Sequence, residues 1–162
     1  MKENFVIYNE EYFQIKKVLE ELKASVSADI VFVTDAEGHC IAATDGMDDS
    51  YLNSISSLIA GSIAAINSIA QMLEIKKFET VLTESPEKNL YISLINERMV
   101  LIVIFEKTSN LGIVRLKGKQ ANEGLKEVFV TINKKLKDNS LSEKHSPFEG
   151  VSDEDIDQIF GD

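Results

Sequence analysis

The sequence predicts an α+β chain in which helices cover both faces of an antiparallel sheet, an α/β/α sandwich, and three observations carry that expectation. Apolar residues recur at helical spacing at both ends of the body and in its middle. Five β-type runs stand between these segments, each joined to a neighbour by a turn too short for a parallel crossover. One of those runs, Met99-Val100-Leu101-Ile102-Val103-Ile104-Phe105, is apolar for seven residues without a break, as a central strand covered on both faces requires.

Taken in order, Tyr8, Tyr12, Ile15, Leu19, Leu22 and Val26 step by four and three and mark the buried face of a first helix, with charged residues on its other side. Ile30–Asp35 and Cys40–Thr44 flank Ala36-Glu37-Gly38-His39, which reads as a hairpin with Gly where positive φ is expected. Ser50–Leu73 is free of charge over twenty-four residues. Its large residues Leu52, Ile55, Ile59, Ile63, Ile66 and Leu73 fall on one side of a helix, and Ser54, Ser57, Gly61, Ala64 and Ser68 form a small-residue stripe on the other. One sheet can cover only the large side, so the small stripe is expected to meet the same helix of a second copy. The alternatives are a wet Ala/Ser face or a membrane span, and six serines, two asparagines and a glutamine argue against the span.

Phe78–Leu82, Leu90–Ile95 and Met99–Phe105 are three further strands, the first an edge strand by its alternation and its Lys77, Glu79 and Glu84. Leu111, Val114, Gly118, Ala121, Leu125, Val128 and Ile132 then define a last long helix. The body is expected to end near Leu136, giving a domain over 1–137, a flexible linker over 138–151 and an acidic motif over 152–162. In that motif Ser152-Asp153-Glu154-Asp155 has the form of a capping box, and Ile156, Ile159 and Phe160 share one face, which suggests a short tethered helix for a partner's groove; an acidic solubilising tail, or one docked on its own body, is the alternative.

The chain carries 27 acids against 17 bases, net −10, with −7 of this in residues 138–162, so a nucleic-acid partner is not expected. The single cysteine, Cys40, allows no intramolecular disulfide and no Cys cluster, and the start Met1-Lys2-Glu3-Asn4 lacks the order of a signal peptide, so the expected location is cytoplasmic. Little argues for catalysis. His39 and His145 have no third ligand at metal spacing, Cys40 has no base beside it, and Asp35 and Glu37 are expected to shape a turn. Gly112 to Gln120 has five residues between its glycines where a phosphate loop needs four. Arg98 and Arg115, the only arginines, leave an arginine finger conceivable. No metal and no cofactor are expected.

With Asp35-Ala36-Glu37-Gly38 at the hairpin, Ile41-Ala42 opening its second strand and Leu111-Gly112-Ile113-Val114-Arg115 opening the last helix, the chain resembles the Roadblock/dynein light-chain family over roughly residues 5–137, most of all its bacterial MglB-type members. The resemblance implies a Roadblock/profilin-like sandwich with a five-stranded antiparallel sheet in order 2-1-5-4-3, the first and last helices on one face and the central helix on the other. It implies a homodimer joined through the central helix and third strand, which adds Phe78, Thr80 and Leu82 to the small stripe. It also implies a non-catalytic regulator of a small Ras-like GTPase, with no catalytic residue to carry over. A dimeric scaffold for motility, polarity or transport components, without effect on GTP turnover, is the alternative, and a small-molecule sensor is a third.

Overall fold

The computed structural model describes residues 7–143, in the order α1 (Asn9–Val26), β1 (Ala28–Asp35), β2 (Cys40–Ala43), α2 (Asp49–Met72), β3 (Thr80–Glu84), β4 (Lys88–Leu94), β5 (Met99–Glu106) and α3 (Leu111–Glu143). The five strands form one sheet in the order β2-β1-β5-β4-β3, every neighbouring pair antiparallel. Strand periodicity divides the core into two layers. Val31, Val33, Tyr91, Leu101, Val103 and Phe105 pack with α1 and α3 on one face. Ile30, Phe32, Ile92, Val100 and Ile102 pack with Leu52 and Ile59 of α2 on the other. The unbroken apolar run is thus the middle strand, which feeds both cores alternately.

Helix α1 ends where Ser27 takes a left-handed conformation (φ 51°, ψ 46°) and its N–H caps the Lys23 carbonyl. Its buried stripe is Glu11, Ile15, Leu19, Leu22 and Val26. Tyr8 and Tyr12, expected to lead that stripe, are instead both 38% exposed, and Glu11 takes the first position. Glu11 is buried because the Lys135 ammonium of α3 donates to its Oε1, while Oε2 has no hydrogen-bond partner among the described residues. Lys135 also stands 6.0 Å from the centre of the Tyr8 ring, and Asn139 donates its amide to the Tyr8 hydroxyl.

These contacts explain a second difference from expectation. Helix α3 continues to Glu143, across the residues read as the start of a linker from 138. No Gly or Pro interrupts the sequence between Gly124 and Glu143, and polar residues suffice once their partners lie on α1. At its other end α3 is capped by Asn110, which precedes it and whose Oδ1 accepts from the Ile113 N–H at 3.2 Å. Gly118 lets α3 lie close to the sheet: a Cβ there would stand 2.8 Å from the Tyr91 ring. Strand β3 starts at Thr80, two residues later than expected, and leaves Phe78 half-buried just ahead of it. The acidic motif with Ile156, Ile159 and Phe160 lies outside the described residues.

Candidate functional site

The outer face of α2 is the most unusual surface of the molecule. Asp48 caps the helix, its Oδ1 accepting from the Ser50 N–H at 2.8 Å. Of the helix residues only Leu52, Ser56, Ile59 and Ala70 are buried, with Ile55, Ile63 and Ile66 half-buried beside them. The large-residue side read from the sequence therefore faces the sheet, except Leu73, which caps the helix end and is 59% exposed.

Ser54, Ser57, Gly61, Ala64 and Ser68 are all exposed, and a Cβ on Gly61 would meet nothing within 4 Å. The hydroxyls of Ser54, Ser57, Ser62 and Ser68 each donate to the carbonyl four residues earlier, at 2.9–3.1 Å. The face is consequently less polar than its serine content suggests. Ser57 has a second task, for the hairpin turn rests on it. Gly38 holds φ +94°, and a Cβ there would stand 2.7 Å from the Ser57 Cα, so only Gly permits the approach.

Beside the small stripe runs a row that the sequence reading missed. Tyr51, Ile55, Leu58, Ser62, Ala65, Ile69 and Met72 alternate four and three apart, the spacing of a two-helix seam. Tyr51, Leu58, Ile69 and Met72 are 55%, 72%, 50% and 85% exposed. A 3.5-residue count started at Tyr51 finds this row; the division into large and small sides hid it, because α2 is apolar nearly all round. By length and composition α2 is apolar enough to cross a membrane, with a mean hydropathy of 1.4 over its best eighteen residues, but its inner side is committed to the sheet.

Strand β3 is an outer strand that pairs only with β4 among the described residues. Leu82 turns toward the core under α1 and α3 and Val81 toward that under α2, while Thr80 is exposed. The stripe on α2 and the residues Phe78, Thr80 and Leu82 thus belong to separate elements.

The groups capable of chemistry do not converge. The Asp35 carboxylate accepts from the N–H groups of Glu37 and His39 and meets the His39 ring at 2.9 Å, which folds the turn. Burial, and then the charge of Asp49, push the Cys40 thiol above its ordinary pKa, the reverse of what a nucleophile needs. The segment Gly112–Gln120 lies in the first turns of α3 as continuous helix, not as the glycine loop between a strand and a helix that a phosphate cradle needs. Arg98 lies in the β4–β5 turn and Arg115 is exposed on α3. Lys135 holds the Glu11 carboxyl below the ordinary carboxylate range, and Glu11 raises Lys135 in return; this pair joins α1 to α3. Among the described residues no group of three or more His, Cys, Asp or Glu could hold a metal ion.

Residues 14–105 match the Roadblock/LC7 domain model. Among solved structures, Myxococcus xanthus MglB is 31% identical, with a TM-score of 0.74 over 78% of this chain and 96% of that one. The gliding protein MglB of Thermus thermophilus is 27% identical, with a TM-score of 0.72 over 79% of this chain and 97% of that one. A third structure, described as MglB with tetrameric arrangement, is 25% identical, with a TM-score of 0.75 over 82% of this chain and 99% of that one. No curated protein sequence matches the chain.

Proposed function

Because the chain belongs to the Roadblock/LC7 domain family, we propose that it works in the cytoplasm as a homodimer, built on the outer face of α2 and the edge of β3, that binds a small Ras-like GTPase and alters its nucleotide cycle without catalysing a reaction itself. The observation that carries the dimer is the exposed seam of Tyr51, Leu58, Ile69 and Met72 beside a stripe of small residues. Exposed apolar rows of this length mark a surface that another surface covers. A second α2 supplies the same spacing and the same small residues, as a two-fold contact requires. The GTPase reading rests on the likeness to MglB-type proteins, 31% identical in the Myxococcus case.

The regulator would act through surface and not through a donated group. Dimerisation doubles every exposed feature of the body and fixes the two copies relative to each other. A GTPase held on such a platform has its own mobile segments restrained, and restraint of the catalytic geometry is itself a route to faster turnover. We also read residues 152–162 as a partner-binding element. The test is affinity purification of the tagged full chain from its own lysate. Recovery of a chain containing Gly-x-x-x-x-Gly-Lys-Ser/Thr, in stoichiometric amount with a dimer, is expected. A monomeric protein with no such companion contradicts the reading, and a companion GTPase whose turnover does not change leaves a scaffold.

A further inference from the structure

On the side of the sheet opposite α2, a groove of about 440 Å³ lies between α3 and β3–β4. Leu82, Tyr91 and Ile95 form its apolar part. Its rim is cationic: Lys77, Arg115, Lys119 and Lys126 line it, against Glu79 and Glu123. In a chain of net −10 this local excess of positive charge is an exception. Lys16, Lys17, Lys88 and Lys135 pair with carboxylates, whereas none of these four groove cations does so among the described residues. In the wall, Asn122 is 6% exposed; its Nδ2 donates to Ser93 Oγ at 2.6 Å and to the Leu94 carbonyl at 2.9 Å, but its Oδ1 has no partner among the described residues.

We propose that this groove receives the chain's own acidic segment, residues 152–162. The complementarity is twofold. Asp153, Glu154, Asp155 and Asp157 answer the cationic rim, and Ile156, Ile159 and Phe160 answer the apolar floor. The outer face of α2 is no competitor for this segment, since Ser50–Leu73 holds no charge to attract it. Reach allows it. The stretch Lys119–Lys126 lies about 26–36 Å along α3 from Glu143 at 1.5 Å per residue. The thirteen residues from Glu143 to Ile156 span up to about 43 Å when extended. The segment then runs back along α3, on its own protomer or on the other copy of a dimer.

The proposal rests on the reading of residues 152–162 as a binding element but not on the GTPase, so its test is done on the full chain with no GTPase present. Phe160 is replaced by the photo-cross-linker p-benzoylphenylalanine and the irradiated protein is mapped by mass spectrometry. Cross-links within 77–95 or 115–126, in one chain or between two, are expected. Lys119→Glu with Lys126→Glu should lower their yield about five- to tenfold, the worth of two or three exposed ion pairs, and Asp153→Lys with Asp155→Lys in the same chain should restore it. Cross-links confined to other surfaces, no cross-links, or a yield indifferent to the charge reversal would overturn the proposal.

Discussion

Replacing Gly61 with Leu separates the fold from the dimer, because the two respond with opposite sign. Within one protomer nothing lies within 4 Å of a Cβ at this position, so the leucine enters open space. Removing glycine from an exposed helix interior then stabilises α2 by roughly 0.7 kcal/mol. In the dimer the same side chain falls between two helices meant to approach closely, and overpacking costs about 1–3 kcal/mol per site. Two-fold symmetry places it there twice, so the expected loss is about 2–6 kcal/mol, or roughly 30-fold to 10⁴-fold in Kd. Sedimentation velocity over a concentration series reads the association, and thermal melts at a dilution where both proteins are monomeric read the fold. A variant that melts slightly higher and dimerises far more weakly fits the account. A variant that dimerises as well as wild type refutes the placement of the small stripe in the contact.

Leu58→Glu should act on the seam beside it: burying the 72% of Leu58 that is exposed is worth about 1–2 kcal/mol per protomer, and light scattering should show the loss as a dimer dissociating at micromolar concentration. Gly118→Ala should destabilise the monomer by about 1–2 kcal/mol in urea, since the clash with the Tyr91 ring at 2.8 Å outweighs the gain in helix propensity; a more stable variant would show that α3 can lift off the sheet at no cost. Glu11→Gln should lower stability near neutral pH. Lys135 holds the Glu11 carboxyl below its ordinary 4.5, so the ion pair's contribution is present above that value and is lost as pH falls through the lower, folded-state pKa. Urea midpoints of wild type and variant should therefore converge in acid, and a constant gap from pH 7 down to pH 2 would deny Glu11 its role.

Much of this architecture is legible because periodicity is local. The apolar run Met99–Phe105 announces a strand that serves two cores, and the stripe Ile15, Leu19, Leu22, Val26 announces the face of α1. What the sequence conceals depends on distant partners. Glu11 looks like a surface charge until Lys135, 124 residues away, is seen against it. Residues 138–143 look like a linker because their helix is held by polar contacts such as that of Asn139 with Tyr8, which leave no apolar period. The row of Tyr51, Leu58, Ile69 and Met72 escapes notice for the opposite reason. On a helix apolar nearly all round, a division into one large and one small side leaves no place for a third row, and the exposed residues between the two stand out only once the sheet covers the large side.

The central claim is that a dimer of this chain changes the nucleotide cycle of a Ras-like GTPase, and its most direct test is a single-turnover measurement. The GTPase recovered with the tagged protein is loaded with GTP, and hydrolysis and nucleotide release are followed alone, with the wild-type chain, and with Leu58→Glu. The account predicts that wild type changes at least one of the two rates, that Leu58→Glu loses the effect along with the dimer, and that the chain alone turns over no GTP. Identical hydrolysis and release rates in all three mixtures, under conditions where the complex is formed, would contradict it.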